Sequence, residues 1–183
     1  MDFKIPTKPY LKRYLHYRYP MPYKLSLTDN LGLFVYHLLR RQTTSAFHVK
    51  IAKQYNVKYT IRIGVKYLEF RQAINLTDHT VVLFNNYVES MLKEELYKEL
   101  ESREVYFEAT KDTYTLKTSP FTIKAGILSF LAKYNISESE LSYETLKKDY
   151  YRFRKKKQKK LLTRLSPNKK AKSNDYPSGR MSA

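Results

Sequence analysis

The feature that most constrains this chain is a dense run of positive charge between Leu146 and Lys172. The run holds 13 Lys and Arg residues and a single acidic residue, Asp149. Its net charge of +12 is therefore two thirds of the formal +18 carried by all 183 residues. Like charges at this density repel one another unless a polyanion neutralises them. The run predicts a polyanionic partner, and a nucleic-acid backbone is the partner that it favours.

Composition excludes several other classes of function. The chain has no Cys, so disulfides, thiol nucleophiles and Cys-ligated metal sites are excluded. Only 4 Gly argue against a Gly-rich phosphate-binding loop. No apolar run approaches the ~20 residues of a membrane span, and the N-terminus lacks the apolar centre of a secretory signal. We expect no membrane partner and a location in the bacterial cytoplasm or nucleoid, with a virion or a nucleus as open alternatives.

Hydrophobic periodicity predicts an α+β protein that is mainly helical, with five or so helices and a small β-strand or hairpin near 58–70. In that segment Tyr59, Ile61, Ile63 and Val65 alternate with polar residues, as in a half-buried strand that turns near Gly64. Helical spacing of apolar residues predicts a short N-terminal helix and further helices near 29–41, 78–103, 120–134 and 138–160. The N-terminal helix contains Tyr10, Tyr14 and Tyr17 on one face and is stopped by Pro20.

We divide the chain into a mainly helical core domain with a small β element (1–118), a basic region (119–165) and a disordered basic tail (166–183). The predicted helix at 78–103 is the longest, with Leu83, Tyr87, Met91 and Leu96 among its apolar residues. Its length suggests a homodimer interface, and its acidic residues are interpreted as a solvated face.

The basic region carries signals for two helix starts. Ser119 precedes a Pro at the first predicted helical position, and Asn135 suits a left-handed C-cap. Ser137 and Glu140 match a capping box, and Ser142 offers a second start. Residues 119–160 thus read as a compact helix, a short turn and a basic second helix, ELSYETLKKDYYRFRKKK. This pattern of residue types resembles the helix-turn-helix unit of small basic DNA-binding regulators from phages and mobile elements.

In such a unit the apolar residues of the second helix would anchor it on the first, and the cations would face the nucleic acid. The candidate nucleic-acid-binding residues are Lys147, Lys148, Arg152, Arg154, Lys155, Lys156, Lys157, Lys159 and Lys160. Lysines provide point charges for phosphates, whereas the forked guanidinium suits base edges, so Arg152 and Arg154 are the predicted base contacts.

Three alternatives stay open. The two helices can be an ordinary amphipathic pair with a solvated Lys face, and KKKQKK also matches a nuclear localisation signal. The Tyr, Lys and Arg residues of 1–24 can stack on unpaired bases or complete the core, and we favour the core interpretation.

The predicted function is a nucleic-acid-binding protein, specifically a sequence-preferring duplex-DNA-binding regulatory or accessory protein of a phage or mobile element. The alternative is a structural or packaging protein, a virion or ribonucleoprotein component, that contacts nucleic acid without reading it; RNA is a possible partner. Four scattered His and no paired carboxylates suggest no enzyme activity, no metal and no cofactor.

Overall fold

The computed structural model describes residues 1–40, 54–64, 77–110 and 122–165. Within these ranges the elements are β1 (Asp2–Thr7), α1 (Pro9–Arg18), β2 (Tyr23–Lys24), α2 (Asn30–Arg40), β3 (Val57–Arg62), α3 (Asp78–Thr110), α4 (Ile123–Lys133) and α5 (Tyr143–Leu165). The predicted class, a mainly helical α+β protein with a small β element, is confirmed. In the described ranges, no helix has an apolar stretch long enough to cross a membrane.

Two compact units are distinguished along the chain. The first is Met1–Lys148 and the second starts at Asp149, where the structure describes residues as far as Leu165. The predicted division after residue 118 and the predicted disordered tail at 166–183 lie outside the described residues.

A three-stranded sheet forms one wall of the core of the first unit. Its order is β1-β3-β2, so β3 is central. β1 pairs antiparallel with β3, placing Ile5 opposite Tyr59 and Phe3 opposite Ile61. β2 runs parallel to β3, with Tyr23 opposite Ile61. All five of these side chains are buried, because alternate residues of a strand face the same side of the sheet.

The strand predicted near 58–70 is confirmed for Val57–Arg62, and the predicted inward residues Tyr59, Ile61 and Ile63 are buried. Val65 and the part of the predicted hairpin that follows Gly64 lie outside the described residues.

Helix α1 begins with Pro9, whose fixed φ suits the first helical position. The core interpretation of the N-terminal tyrosines is confirmed for Tyr10 and Tyr14, which are buried. It is wrong for Tyr17, which is 60% exposed. The buried face of α1 consists of Tyr10, Leu11, Tyr14 and Leu15, so its centre is rotated towards the two leucines and Tyr17 lies at its edge.

Helix α3 has 33 residues and begins at Asp78, as predicted, but continues past residue 103 to Thr110. Its buried row contains Val81, Phe84, Val88, Leu92 and Leu96. This row follows the i, i+3, i+4 spacing of one helix face.

The predicted apolar stripe of α3 is therefore confirmed at Leu96 and rotated by about one residue in the first half of the helix. Leu83, Tyr87 and Met91 are half-buried, and the Tyr87 ring stacks on Phe34 at a centroid distance of 3.8 Å. The buried row includes the polar Asn85, which hides the true face from a hydrophobicity pattern. A homodimer through 78–103 stays a prediction.

The interpretation of the α3 acidic residues as a solvated face is wrong for Glu89 and Glu95. The Glu89 carboxylate accepts hydrogen bonds from Lys8 Nζ and Tyr10 Oη, each at 2.9 Å. The Glu95 carboxylate accepts from Tyr14 Oη at 3.1 Å and from Tyr134 Oη. These two carboxylates connect α3 to α1 and to the end of α4, so they are structural.

The Glu89 carboxyl predicts an acid-dependent loss of stability. Burial raises the pKa of this carboxyl, but hydrogen bonds from Lys8 and Lys93 outweigh burial and lower the pKa from 4.5 to about 2. A carboxyl with a lower pKa in the folded than in the unfolded state stabilises the fold above the unfolded pKa. This contribution is lost as the pH falls from about 4.5 towards 2.

We expect the free energy of unfolding of Glu89→Gln, measured by urea denaturation, to fall less than that of the wild type between about pH 5 and about pH 3. The matched control is Glu94→Gln, since Glu94 is exposed on the same helix and forms no ion pair with a described residue. This control should retain the wild-type pH dependence. Identical pH dependence in Glu89→Gln and the wild type would contradict the prediction.

Candidate nucleic-acid interface

The local sequence sets where α4 and α5 begin. Thr122 Oγ1 accepts from the Ala125 N–H at 3.1 Å, so α4 starts at Ile123. The predicted start at Ser119 and Pro120 lies outside the described residues. Ser142 Oγ accepts from the Thr145 N–H at 3.3 Å, so α5 starts at Tyr143 rather than at residue 138.

The connection between α4 and α5 therefore spans residues 134–142. Asn135 has the predicted left-handed backbone, with φ of 51°. Glu140 Oε2 accepts from the Ser137 N–H at 3.2 Å, which is half of the predicted capping box. This connection is longer than the three- to four-residue turn of typical helix-turn-helix motifs. Resemblance to such a motif stays a prediction.

Helix α5 has 23 residues, which gives a length of about 35 Å. Residues 149–165 contain eight Lys and Arg and one acidic residue, Asp149. All nine predicted binding residues lie on this helix: Lys147, Lys148, Arg152, Arg154, Lys155, Lys156, Lys157, Lys159 and Lys160.

Four of these residues share one side of the helix in the second unit. Arg152, Lys155, Lys156 and Lys159 follow the spacing i, i+3, i+4 and i+7, and all four are exposed. We call this set the cationic stripe. Arg152 Nη1 lies 3.4 Å from Asp149 Oδ1, and the Arg152 side chain is 74% exposed. The three lysines form no ion pair with a described residue.

Arg154, Lys157 and Lys160 form a second row along α5, in which Arg154 and Lys157 lie on the side away from the cationic stripe and Lys160 borders it. The Arg154 guanidinium lies over the Tyr150 ring at 5.8 Å, and Lys157 Nζ lies over the Phe153 ring at 6.0 Å. Arg154 is half-buried, whereas Arg152 is exposed. Residues two apart in a helix are rotated by about 200°, so the structure does not bring the two predicted base-reading arginines together.

Lys147 and Lys148 belong to the first unit. Lys147 is half-buried, with its Nζ 3.9 Å from Glu144 Oε1 and 5.4 Å from the centre of the Tyr143 ring. Lys148 is exposed. Of these two predicted residues, Lys148 has the freer access to a partner.

The first unit also contains a basic cavity of about 530 Å³ that the sequence analysis missed. Helix α1 contributes Lys12, Arg13, His16 and Tyr17 to its lining, and the end of α4 contributes Lys133 and Tyr134. The sequence shows the N-terminal cluster of Tyr, Lys and Arg residues. It does not show that this cluster lies next to residues 133–134, because the two segments are far apart along the chain.

Comparison of the chain with protein-family models, curated proteins and solved structures found no match. Among the residues that the structure describes, no group of three or more His, Asp and Glu is arranged to hold a metal ion.

Proposed function

We propose that the protein binds nucleic acid through the basic part of α5, and that phosphate contacts supply most of the affinity. The cationic stripe carries this proposal. It presents four exposed cations on one side of the helix. The carboxylate of Asp149 lies within ion-pair distance of one of them, Arg152. Each cation that neutralises a phosphate releases condensed counterions, which favours binding.

Duplex DNA is the form of nucleic acid that the helix favours. An α-helix with its side chains is about 10–12 Å across and fits a major groove about 12 Å wide. Arg152 is the residue of the stripe that can donate a bidentate pair of hydrogen bonds to guanine. Its exposure supports sequence-preferring binding. The resemblance of residues 119–160 to small basic regulators extends the proposal to a regulatory or accessory protein of a phage or mobile element.

A second candidate function is structural or packaging binding without base recognition. The observation in its favour is that all residues of 155–160 are exposed, and five of these six are Lys. Mobile point charges on every side of a helix attract any polyanion, whatever its sequence. The same surface can bind RNA.

Selection from a random duplex pool separates these functions. We expect the wild type to enrich a motif and Arg152→Lys, which keeps the charge, to lose discrimination by roughly 5- to 150-fold, the value of one bidentate base contact. Affinity for bulk DNA should change little in this variant. Arg154→Lys is the matched control, because Arg154 is half-buried over Tyr150.

The outcomes of this selection and of binding assays with bulk DNA and RNA distinguish the candidate functions. No enriched motif with undiminished bulk binding would favour packaging, and tighter binding of RNA at matched salt would favour an RNA partner. A protein that retains no nucleic acid at low ionic strength would contradict the proposal.

A further inference from the structure

The cavity between α1 and the end of α4 has the size and lining of a small-molecule site. Its volume of about 530 Å³ lies within the roughly 300–1,000 Å³ usual for ligand pockets. Pro9, Met21 and Val57 supply apolar walls. Residues 12, 13, 16 and 17 line the cavity because they occupy the side of α1 opposite to Leu11 and Leu15, which are buried in the core.

The charge at this cavity favours an anion. Its lining contains three permanent cations, Lys12, Arg13 and Lys133, and no carboxylate. Arg13 is held by Glu140, and Lys133 Nζ lies 3.4 Å from Glu95 Oε1. Lys12 forms no ion pair with a described residue, so its charge is not locally neutralised.

The aromatic lining favours a planar group beside that anion. The Tyr17 ring, 60% exposed, meets the Tyr134 ring edge to face at a centroid distance of 5.0 Å. Tyr134 is buried and its hydroxyl donates to Glu95, which fixes the ring against which Tyr17 rests. A supported aromatic ring next to cations is the arrangement with which proteins bind unpaired bases.

We propose that this cavity binds an unpaired nucleotide, with the base on Tyr17 and the phosphate near Lys12. The nucleotide can be free or part of a single strand. The site lies in the first unit and requires none of the cationic stripe, so this inference goes beyond the proposed function of α5.

The test uses the full chain with Lys155→Gln, Lys156→Gln and Lys159→Gln, the triple stripe variant, so that binding by α5 is reduced. Adenosine monophosphate, tetrathymidylate and inorganic phosphate are titrated by calorimetry. We expect both nucleotide probes to bind, and Tyr17→Ala to weaken them about tenfold or more, as for one stacked base. Tyr17→Phe should retain binding, and Lys12→Gln should weaken it.

Tyr106→Ala is the matched control, because Tyr106 is 71% exposed on α3 and is not part of the cavity lining. Circular dichroism confirms that each variant is folded. If adenosine monophosphate binds and tetrathymidylate does not, the ligand is a free nucleotide. If tetrathymidylate binds markedly more tightly, the ligand is a single strand.

Three results would overturn the inference: no binding of either nucleotide, equal binding by inorganic phosphate, or Tyr17→Ala behaving like Tyr106→Ala. The proposed function of α5 fails on a different result: the triple stripe variant would bind duplex DNA as tightly as the wild type.

Discussion

The triple stripe variant is expected to bind duplex DNA on the order of a hundredfold more weakly than the wild type at about 0.1 M salt. Lys155, Lys156 and Lys159 are exposed on one side of α5 and form no ion pair with a described residue. If each contacts one phosphate, the slope of log K against log salt falls in magnitude by about 2.7. Fluorescence anisotropy with a labelled duplex, between about 50 and 200 mM salt, measures both quantities. The wild type should lose about a thousandfold over that range if it contacts about six phosphates.

The second row of α5 provides a control that removes the same charge. Arg154→Gln, Lys157→Gln and Lys160→Gln also delete three cations, of which Arg154 and Lys157 lie on the other side of the helix and Lys160 borders the cationic stripe. We expect this variant to lose less than about tenfold, because long-range attraction alone is weakened and screened by salt. Equal losses in the two triple variants would mean that α5 has no binding face, as a packaging role requires. If neither variant loses affinity, α5 is not the interface.

An element can be predicted from the sequence when its apolar residues follow the spacing of a strand or a helix without interruption. β3 alternates apolar and polar residues, and α1 places Tyr10 and Tyr14 four residues apart, so both elements were predicted. β1 was not predicted, although Phe3, Ile5 and Thr7 alternate inward. It contains Pro6, and a Pro usually argues against a strand. Pro6 is tolerated here because β1 lies at the edge of the sheet and needs pairing only with β3.

For the candidate sites, the sequence predicts composition and helical pattern, whereas contacts between distant segments need the tertiary structure. The charge of α5 was evident from composition, and its helical state from Leu146 and the residues around it. The separation of Arg152 from Arg154 follows from helical periodicity alone and could have been predicted. The half-burial of Arg154 over the Tyr150 ring could not, because it depends on how the side chains pack. The cavity needs tertiary structure as well, because Tyr17 and Tyr134 meet only after α1 and α4 have packed on α3. Likewise, Glu95 looks like a solvated residue in sequence until Tyr14 and Tyr134 converge on it.

Asn85→Leu is expected to lower the free energy of unfolding by roughly 2–5 kcal/mol, a large part of a typical domain's stability. Asn85 is fully buried, and its Nδ2 donates to Pro6 O at 2.9 Å and to Val81 O at 2.8 Å. Its Oδ1 accepts from the Lys8 N–H at 3.1 Å. One amide thus satisfies both backbone groups where β1 passes into α1, and a leucine of similar size would leave them buried without partners.

The matched control for this substitution is Asn86→Leu, because Asn86 is the exposed neighbour on the same helix. Urea denaturation should place this control within about 0.5 kcal/mol of the wild type. The junction that Asn85 holds also fixes the start of α1, which carries Lys12 and Tyr17 at the cavity. A partly destabilised Asn85→Ser, still folded at low temperature, should therefore weaken nucleotide binding at the cavity while leaving duplex binding by α5 intact. Comparable stability in Asn85→Leu and Asn86→Leu would show that the buried amide does not organise this junction.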